Sequence, residues 1–507
     1  GATNSALTFT ITVPQNATTG VPLGVRARLS APSGLGPVGN NALAGEIEDY
    51  ALTIAAPTTD FGDHSSLSSA SSTMNSNLLL GTAVDAEYAA TTSVTAMGDD
   101  STGLDDEDGV VVPASLDPGA SVTLPVTVKN NTGASAWLHA WIDFNNDGVL
   151  NNATVGGGGE RLEAARAIAS QATASTQNIT FTVPLIVNPG SNRAVRFRLT
   201  NSSATTPAGA SGSGEVEDYA TVITSATNDF GDWSGAAVAS NGVSSSLFLG
   251  AQVDAEYLAT TNATATGDDS TDTDDEDGVA LPALIAGGSF NVPVTVTNLT
   301  GAVASLNAWI DFNNNGVFTD TGEQVIVNLA VANGSSGLVI NPSVTVPTTA
   351  VTGTNVGMRV RLTTTGTPGA TGSGGGAGEV EDYVVNIAAP TMDQGDNSRF
   401  AAASSTSSNA LRMGTLVDAE YIAITNLIAT GDDTTGVDDE DGVTLPSLMA
   451  GAPATLPVVV TNSTGSTAYL NAWIDFNNNG VLTDAGEQVA TNVAVATGTS
   501  NATRNLA

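Results

Sequence analysis

The stretch NAWIDFNNNG, Asn307–Gly316, recurs unchanged at Asn471–Gly480, and a close variant, HAWIDFNNDG, spans His139–Gly148. In each copy an apolar run meets an Asp and then an Asn-rich segment ending in Gly. With side chains alternating across an extended chain, Leu306, Ala308, Ile310 and Phe312 share one face, and Asn307, Trp309 and Asp311 the other. Asn-Gly is a strong short-range turn signal, because both residues tolerate left-handed backbone. The stretch therefore reads as a strand running into a tight turn.

Other strands follow the same rule. SVTLPVTVKN (121–130), SFNVPVTVTN (289–298), ITFTVP (179–184) and AVRFRLT (194–200) alternate apolar and polar residues with period two. No long segment carries the helical period. Strands with one apolar face, separated by Gly, Asn, Pro and Ser, predict an all-β chain of tandem β-sandwich domains with Asn/Asp/Gly-rich loops, arranged linearly.

The order of the chain is set by a repeat. GEIEDY begins at Gly45, and GEVEDY at Gly214 and Gly378, spaced by 169 and 164 residues. DFGD at Asp60 and Asp229 matches DQGD at Asp393, VDAEY recurs at Val84, Val253 and Val417, and DDEDGV at Asp105, Asp274 and Asp438. A unit of about 165 residues is the size of a domain. Residues 58–226 and 227–390 form two complete units. Residues 391–507 carry the first part of a third, and residues 1–57 the second part of another. Either the 507 residues are a window of a longer array, or one molecule's head completes the next one's tail as a head-to-tail homopolymer.

Charge narrows the partners. The net charge is −38, from 51 acidic and 13 basic residues, so phosphate backbones and anionic membranes are repelled. No apolar run is long enough to span a membrane. There is no Cys, so no disulfide contributes. The acids are concentrated: two in DFGD, two in VDAEY, two in GDD, four in DDED and three in GEVED make 13 per unit, and three such sets hold 39 of the 51. Six of the 13 basic residues form one Arg-x-Arg strand segment per copy, at Arg26/Arg28, Arg196/Arg198 and Arg359/Arg361. Guanidinium matches carboxylate in a bidentate fork, so the GEVED acids, including Glu46, Glu48, Glu215, Glu217, Glu379 and Glu381, are the expected partners.

The remaining acids want a hard cation, and calcium accepts six to eight oxygen ligands in irregular geometry. Two candidate sites result. One is the DDEDG run, Asp274, Asp275, Glu276 and Asp277 in the second full unit; a solvated acidic loop is the alternative. The other is the opening motif. Asp311, Asn313 and Asn315 stand at alternate positions before Gly316, and Glu323 lies twelve residues beyond Asp311. Asp475, Asn477, Asn479 and Glu487 repeat that spacing. Asp143, Asn145 and Asp147 form the first copy, with an insertion before Glu160. D-x-N-x-N-G approaches the calcium-loop pattern, with Gly permitting the sharp turn and a later Glu closing the sphere. The flanks are strands, however, and a plain hairpin turn explains everything except the Asp and the Glu.

Catalysis lacks its parts. His64 and His139 have no His at the matching positions of the sister copies, and there is neither Cys nor a G-x-S-x-G elbow. The expectation is that the protein is not an enzyme.

Taken together, DFGD, VDAEY, DDEDGV, AWIDFNNNG and GEVEDY resemble the GEVED domain, over essentially the whole chain. The resemblance implies a bacterial secreted or surface protein with many modules, structural or adhesive, and no established catalytic residues. The leading expectation is an extracellular fibre or stalk stiffened by Ca2+. The alternative is an adhesin for glycans, for which Trp141, Trp309 and Trp473 are the only repeated aromatic platform. Sequons such as Asn178, Asn262, Asn298 and Asn501 leave glycosylation open.

Overall fold

The computed structural model describes the chain except for residues 1–4, 15, 32, 34, 40–43, 99–104, 157, 268–273, 365, 432–437 and 507. Among the described residues every regular element is a strand. The chain divides into two compact units, Gly1–Ser225 and Ala226–Ala507.

Within the first unit, residues 58–225 form a β-sandwich. Its larger sheet runs in the order Thr59–Phe61, Ala70–Thr73, Gly209–Ile223, Gly190–Thr200, Ala136–Ile142, Arg161–Ile168, with Ser115–Leu116 also paired to Gly209–Ile223. The smaller sheet is Ser175–Thr182, Ser121–Asn130 and Leu78–Leu80. The core lies between them: Leu138, Ala140 and Ile142 with Val195, Phe197 and Leu199 from one sheet, Leu124, Val126 and Val128 with Ile179 and Phe181 from the other. The same plan recurs in 227–390. Gly372–Ala388, Asn355–Thr363, Ala304–Ile310 and Gln324–Val331 are consecutive strands of the large sheet there. Leu306, Ala308, Ile310 and Phe312 enter its core as their alternation predicts.

The other face of the large sheet is also buried. Asn307, Trp309 and Asp311 are at most 4% exposed, and so are Arg196, Arg198, Arg359 and Arg361. Here the expected pairing needs a correction. The carboxylate partner of the first Arg in each full unit is the final Asp of GEVED, not its glutamates. Arg196 Nε and Nη2 donate to Asp218 Oδ1 and Oδ2 at 2.7 and 2.6 Å, and Arg359 makes the same fork to Asp382 at 2.7 Å on both arms. The reason is the strand period. Arg196 lies opposite Asp218, while Glu217 lies opposite Phe197 and Glu215 opposite Leu199. The glutamates therefore share the core-facing side. Arg196 Nη1 donates on to the Ser68 and Pro207 carbonyls, and Arg198 to the carbonyls of Ser71 and Thr206. The Arg-x-Arg strip thus fastens two loops over the outer face of the sheet.

The partial copies keep pieces of this plan. Pro22–Ser30 and Gly45–Thr53 form an antiparallel hairpin with Arg26 opposite Asp49, and its ion pair of 2.6 Å is solvent-exposed. Ala468–Trp473 pairs only with Gln488–Val495 among the described strands, whereas its equivalent Ala304–Ile310 is paired on both sides.

Two predictions follow from the buried charges and histidines. Removing one member of a buried pair strands the other, at about 3–5 kcal/mol. Arg196→Met should lower the unfolding free energy by that order in denaturant titrations, and adding Asp218→Leu should restore much of it; an unchanged midpoint in the single variant would refute the fastening role. His64 and His139 both have pKa values depressed by burial, with Asp218 and Arg196 near the first and Arg198, Arg161 and Glu163 near the second. A depressed native value means that the unfolded chain takes up the proton first as pH falls. Stability from neutral imidazole is therefore present above about pH 6.5 and drains away below it. Asn307, at the position of His139, instead accepts from Asn328 N at 2.8 Å. His139→Asn should thus raise the melting temperature more at about pH 5.5 than at about pH 7.5; equal gains at both would remove the explanation.

Candidate metal centre

The Asp–Asn loop grows directly from the sheet. Ala304–Ile310 delivers Asp311, fully buried, at the strand's end. Asp311 Oδ1 accepts from Asn315 N at 3.0 Å and Oδ2 from Gly316 N at 2.7 Å. Asn313 Oδ1 accepts from Asn315 N at 3.1 Å, and Asn315 Oδ1 from Val317 N at 2.8 Å. Asn314 and Gly316 take φ of 56° and 79°, the left-handed region that Asn tolerates and Gly enters freely. The turn reading is therefore satisfied in full by local side-chain-to-backbone bonds.

The Glu is what the turn leaves over. Glu323 is 2% exposed, and no donor meets either carboxylate oxygen in good hydrogen-bond geometry, the Asn313 and Asp320 amides offering only weak support. Burial, then the charges of Asp311 and Asp320, push its carboxyl above the usual range. Glu487, at 3% exposure, repeats the pattern with both oxygens unpartnered. In the first copy the insertion does not displace the Glu: carboxylate oxygens of Asp143, Asp147 and Glu160 lie within 4.8 Å of one another. Glu160 Oε2 accepts from Asn151 N and Nδ2 at 2.8 and 2.9 Å, Oε1 has no partner, and burial pushes the carboxyl up to about 7. These donors suit a hard cation: oxygen only, more carboxylate than cation, and buried lone pairs with nothing to accept.

The sequence missed one participant. Asp320 Oδ2 accepts from Asn313 Nδ2 and Asn315 Nδ2 at 2.7 and 2.8 Å, and Asp484 does the same for Asn477 and Asn479. This acid orients the carboxamides so that their oxygens face the loop interior. Its signal was present in TDTGEQ and TDAGEQ, three residues ahead of the Glu in both copies.

The DDEDG run divides its acids differently from the expectation. Asp275 is buried and accepts from Asp254 N at 3.0 Å; Asp277 is exposed and accepts from Ala251 N at 3.0 Å; Asp274 is exposed. Asp275 and Asp277 thus accept from separate backbone groups. The GDD pairs Asp99/Asp100, Asp268/Asp269 and Asp432/Asp433 lie outside the described residues. Trp141 and Trp309 are 0% and 4% exposed, so neither offers a glycan platform, while Trp473 is 46% exposed.

Residues 137–222 and 305–386 match the GEVED domain family. No curated protein matches the chain. Among solved structures, native Escherichia coli alpha-2-macroglobulin by cryo-EM is 11% identical at a TM-score of 0.17, over 56% of this chain and 17% of that one. A Salmonella alpha-2-macroglobulin mutant is 10% identical at 0.18, over 73% and 19%. This chain spans less than a fifth of the length of either, and scores at that level carry no argument.

Asp311→Ala removes two backbone amides' charged acceptor, so it should destabilise its unit by about 3 kcal/mol even in chelator. Glu323→Gln should behave oppositely: neutral or stabilising in chelator, because it relieves a buried carboxylate, yet deficient in the melting-temperature rise that calcium gives the wild type. A wild-type chain with no calcium heat and no thermal shift at low salt would remove the metal centre.

Proposed function

Since residues 137–222 and 305–386 match the GEVED domain family, we propose that this chain is a structural protein of a bacterial extracellular fibre or surface stalk. Tandem β-sandwiches form its body, calcium at the Asp–Asn loops stiffens each one, and copies join head to tail. The reading is non-catalytic. Its supports are the repeat itself, the oxygen-only loop sites, and the burial of both histidines in packing positions that sister copies fill with Trp233 and Asn307. The extracellular placement rests on the family resemblance. No described helix is long and apolar enough to cross a membrane.

The observation that carries the head-to-tail element is a match between a bare sheet edge and a preassembled hairpin. In 227–390, strand Ala304–Ile310 is paired along Asn355–Thr363, which in turn pairs with Gly372–Ala388. Ala468–Trp473 is the equivalent of Ala304–Ile310 and has that edge free of any described strand. Beside it, Leu448, Met449, Leu456, Ile474 and Phe476 line an apolar hollow of about 700 Å3, and Phe476 is 62% exposed where Phe312 is 4%. The hairpin Pro22–Ser30/Gly45–Thr53 carries the counterparts of Asn355–Thr363 and Gly372–Ala388 in the same register, Arg26 on Asp49 as Arg359 on Asp382. Its Leu29 is 76% exposed, while the equivalent Leu199 and Leu362 are fully buried in their cores. An unpaired strand edge is a template for pairing with another chain, and main-chain bonds plus alternate side-chain pockets give such strand addition its affinity and register.

Electron microscopy and sedimentation of the full chain should show filaments that grow with concentration. Leu29→Asp should leave the single chain's folding unchanged, because Leu29 is exposed there. It should weaken association at least a hundredfold, since a buried leucine contributes about 1.5–3 kcal/mol and a buried carboxylate subtracts further. Dispersed monomers at every concentration, or filaments unaffected by Leu29→Asp, would defeat the head-to-tail element.

A further inference from the structure

The three Asp–Asn loops differ in a way that the turn does not require. In the first, carboxylate oxygens of Asp143, Asp147 and Glu160 lie within 4.8 Å of one another, and among the described residues no other three acid or histidine side chains come so close. In the second loop Asn315 stands where Asp147 does, and in the third Asn479. The acids of the motif left there are Asp311 with Glu323, and Asp475 with Glu487. Asp320 and Asp484 are already occupied by the carboxamides of Asn313 with Asn315 and of Asn477 with Asn479.

The turn bonds are indifferent to the exchange of Asp for Asn. Asp147 Oδ1 accepts from Val149 N at 2.7 Å, as Asn315 Oδ1 does from Val317 N at 2.8 Å. Asp143 accepts from Asp147 N and Gly148 N at 3.2 and 3.0 Å, as Asp311 does from Asn315 N and Gly316 N. Asp147 therefore adds a charge without adding a turn bond. It does so beside Asp143 and Glu160, which are 0% and 1% exposed, where like charges repel unless a cation joins them.

A second observation concerns the buried Glu160. Its Oε1 meets no donor in good hydrogen-bond geometry, the Asn145 amide offering only weak support. The insertion of residues 151–159 is what holds this carboxyl. It lengthens the chain between Asp143 and Glu160, yet the Glu keeps its station: Glu160 O accepts from Ile142 N at 3.0 Å, as Glu323 O does from Ile310 N at 2.9 Å. The added residues fold back on the strand Arg161–Ile168, where Arg161 N donates to Ala153 O at 3.0 Å and Val155 N to Arg161 O at 3.1 Å. Gly159 permits this, since a Cβ there would fall 2.0 Å from Thr154 O. Asn151 N and Nδ2 then both donate to Glu160 Oε2, at 2.8 and 2.9 Å, which leaves Oε1 for a ligand. Glu323 and Glu487 have no such pair of donors.

We propose, on the basis of the calcium reading of these loops, that the chain holds two classes of calcium site: a tight one at Asp143, Asp147 and Glu160, and weaker ones at the two sister loops. Ligand charge and site rigidity set calcium affinity among oxygen donors, and the first loop exceeds its sisters in both. The third carboxylate supplies the charge, and the insertion supplies the rigidity through Asn151. As calcium falls, the sister loops empty first, with their carboxamides still held by Asp320 and Asp484. The unit of residues 58–225 keeps its ion longest, so stiffness is lost unit by unit and not all at once.

Calorimetric titration of the full chain with calcium at low salt tests the order, with equilibrium dialysis counting the ions. The wild type should bind one calcium about tenfold or more tighter than two others. Asp147→Asn installs the sister residue and keeps its turn bond, so circular dichroism in chelator should not change. Its tight phase should merge with the weaker one at an unchanged ion count. Asn151→Ala should weaken the tight phase alone. Equal affinities in the wild type, a tight phase that survives Asp147→Asn, or wild-type affinities in Asn151→Ala would each overturn the proposal while leaving calcium in the loops. No bound calcium at all overturns the proposal and the metal centre together. Should Asp147→Asn lose its fold, the wild-type titration still decides between one class of site and two.

Discussion

A guanidinium fork across two strands holds the sheet's outer face together: Arg196 on Asp218, and Arg359 on Asp382, with side-chain exposures of 0–1%. Strand pairing alone would leave that face to water. With the fork in place, the spare arginine donors reach the carbonyls of Ser68 and Pro207 in one unit and of Ala237 and Ala370 in the other. Loops of no regular structure are thereby packed down, and Trp233, Trp309 and Phe318 close over the second unit's fork. Arg359 also lies 5.5 Å above the Phe318 ring, a further attraction for a guanidinium. Lysine would not substitute, because a point charge cannot grip a carboxylate and two carbonyls in one plane.

The fork dictates where the remaining charge goes. Side chains alternate along Gly209–Ile223, so placing Asp218 beneath Arg196 sends Glu215 and Glu217 to the core side. Val216 shares the arginine face and Tyr219 the glutamate face, where Tyr219 stacks edge-on against Phe197 at 5.9 Å. One five-letter motif thus separates its acids between the arginine of the outer face and the core side of the sheet.

Much of this was legible in the sequence, and its limits are physical. Period-two runs located the strands, and the alternation of Leu306, Ala308, Ile310 and Phe312 assigned their core face correctly. The Asp, Asn and Gly spacing located the loop, including left-handed Asn314 and Gly316. What spacing could not supply was which acids meet. Arg-x-Arg and GEVED were matched by charge, but register decides which of three acids lies opposite an arginine, and register is a property of two strands together. Likewise, the burial of Trp141 and Trp309 depends on loops folded over the outer face, so a strand Trp read in isolation looks like a surface platform. Within the DDEDG run, Asp275 is buried and accepts from Asp254 N while Asp277 is exposed and accepts from Ala251 N, a division that adjacency in the sequence does not reveal.

The hairpin Pro22–Ser30/Gly45–Thr53 shows how far the fork alone can carry a fold. It keeps the full register and the 2.6 Å Arg26–Asp49 pair, yet every residue of Gly45–Thr53 is exposed. Exposed ion pairs contribute about 0–1 kcal/mol, and an isolated two-stranded ribbon is marginal in water. The same two strands in a full unit gain both a core and an outer layer, and their fork leaves solvent. The hairpin's stability therefore depends on what it packs against.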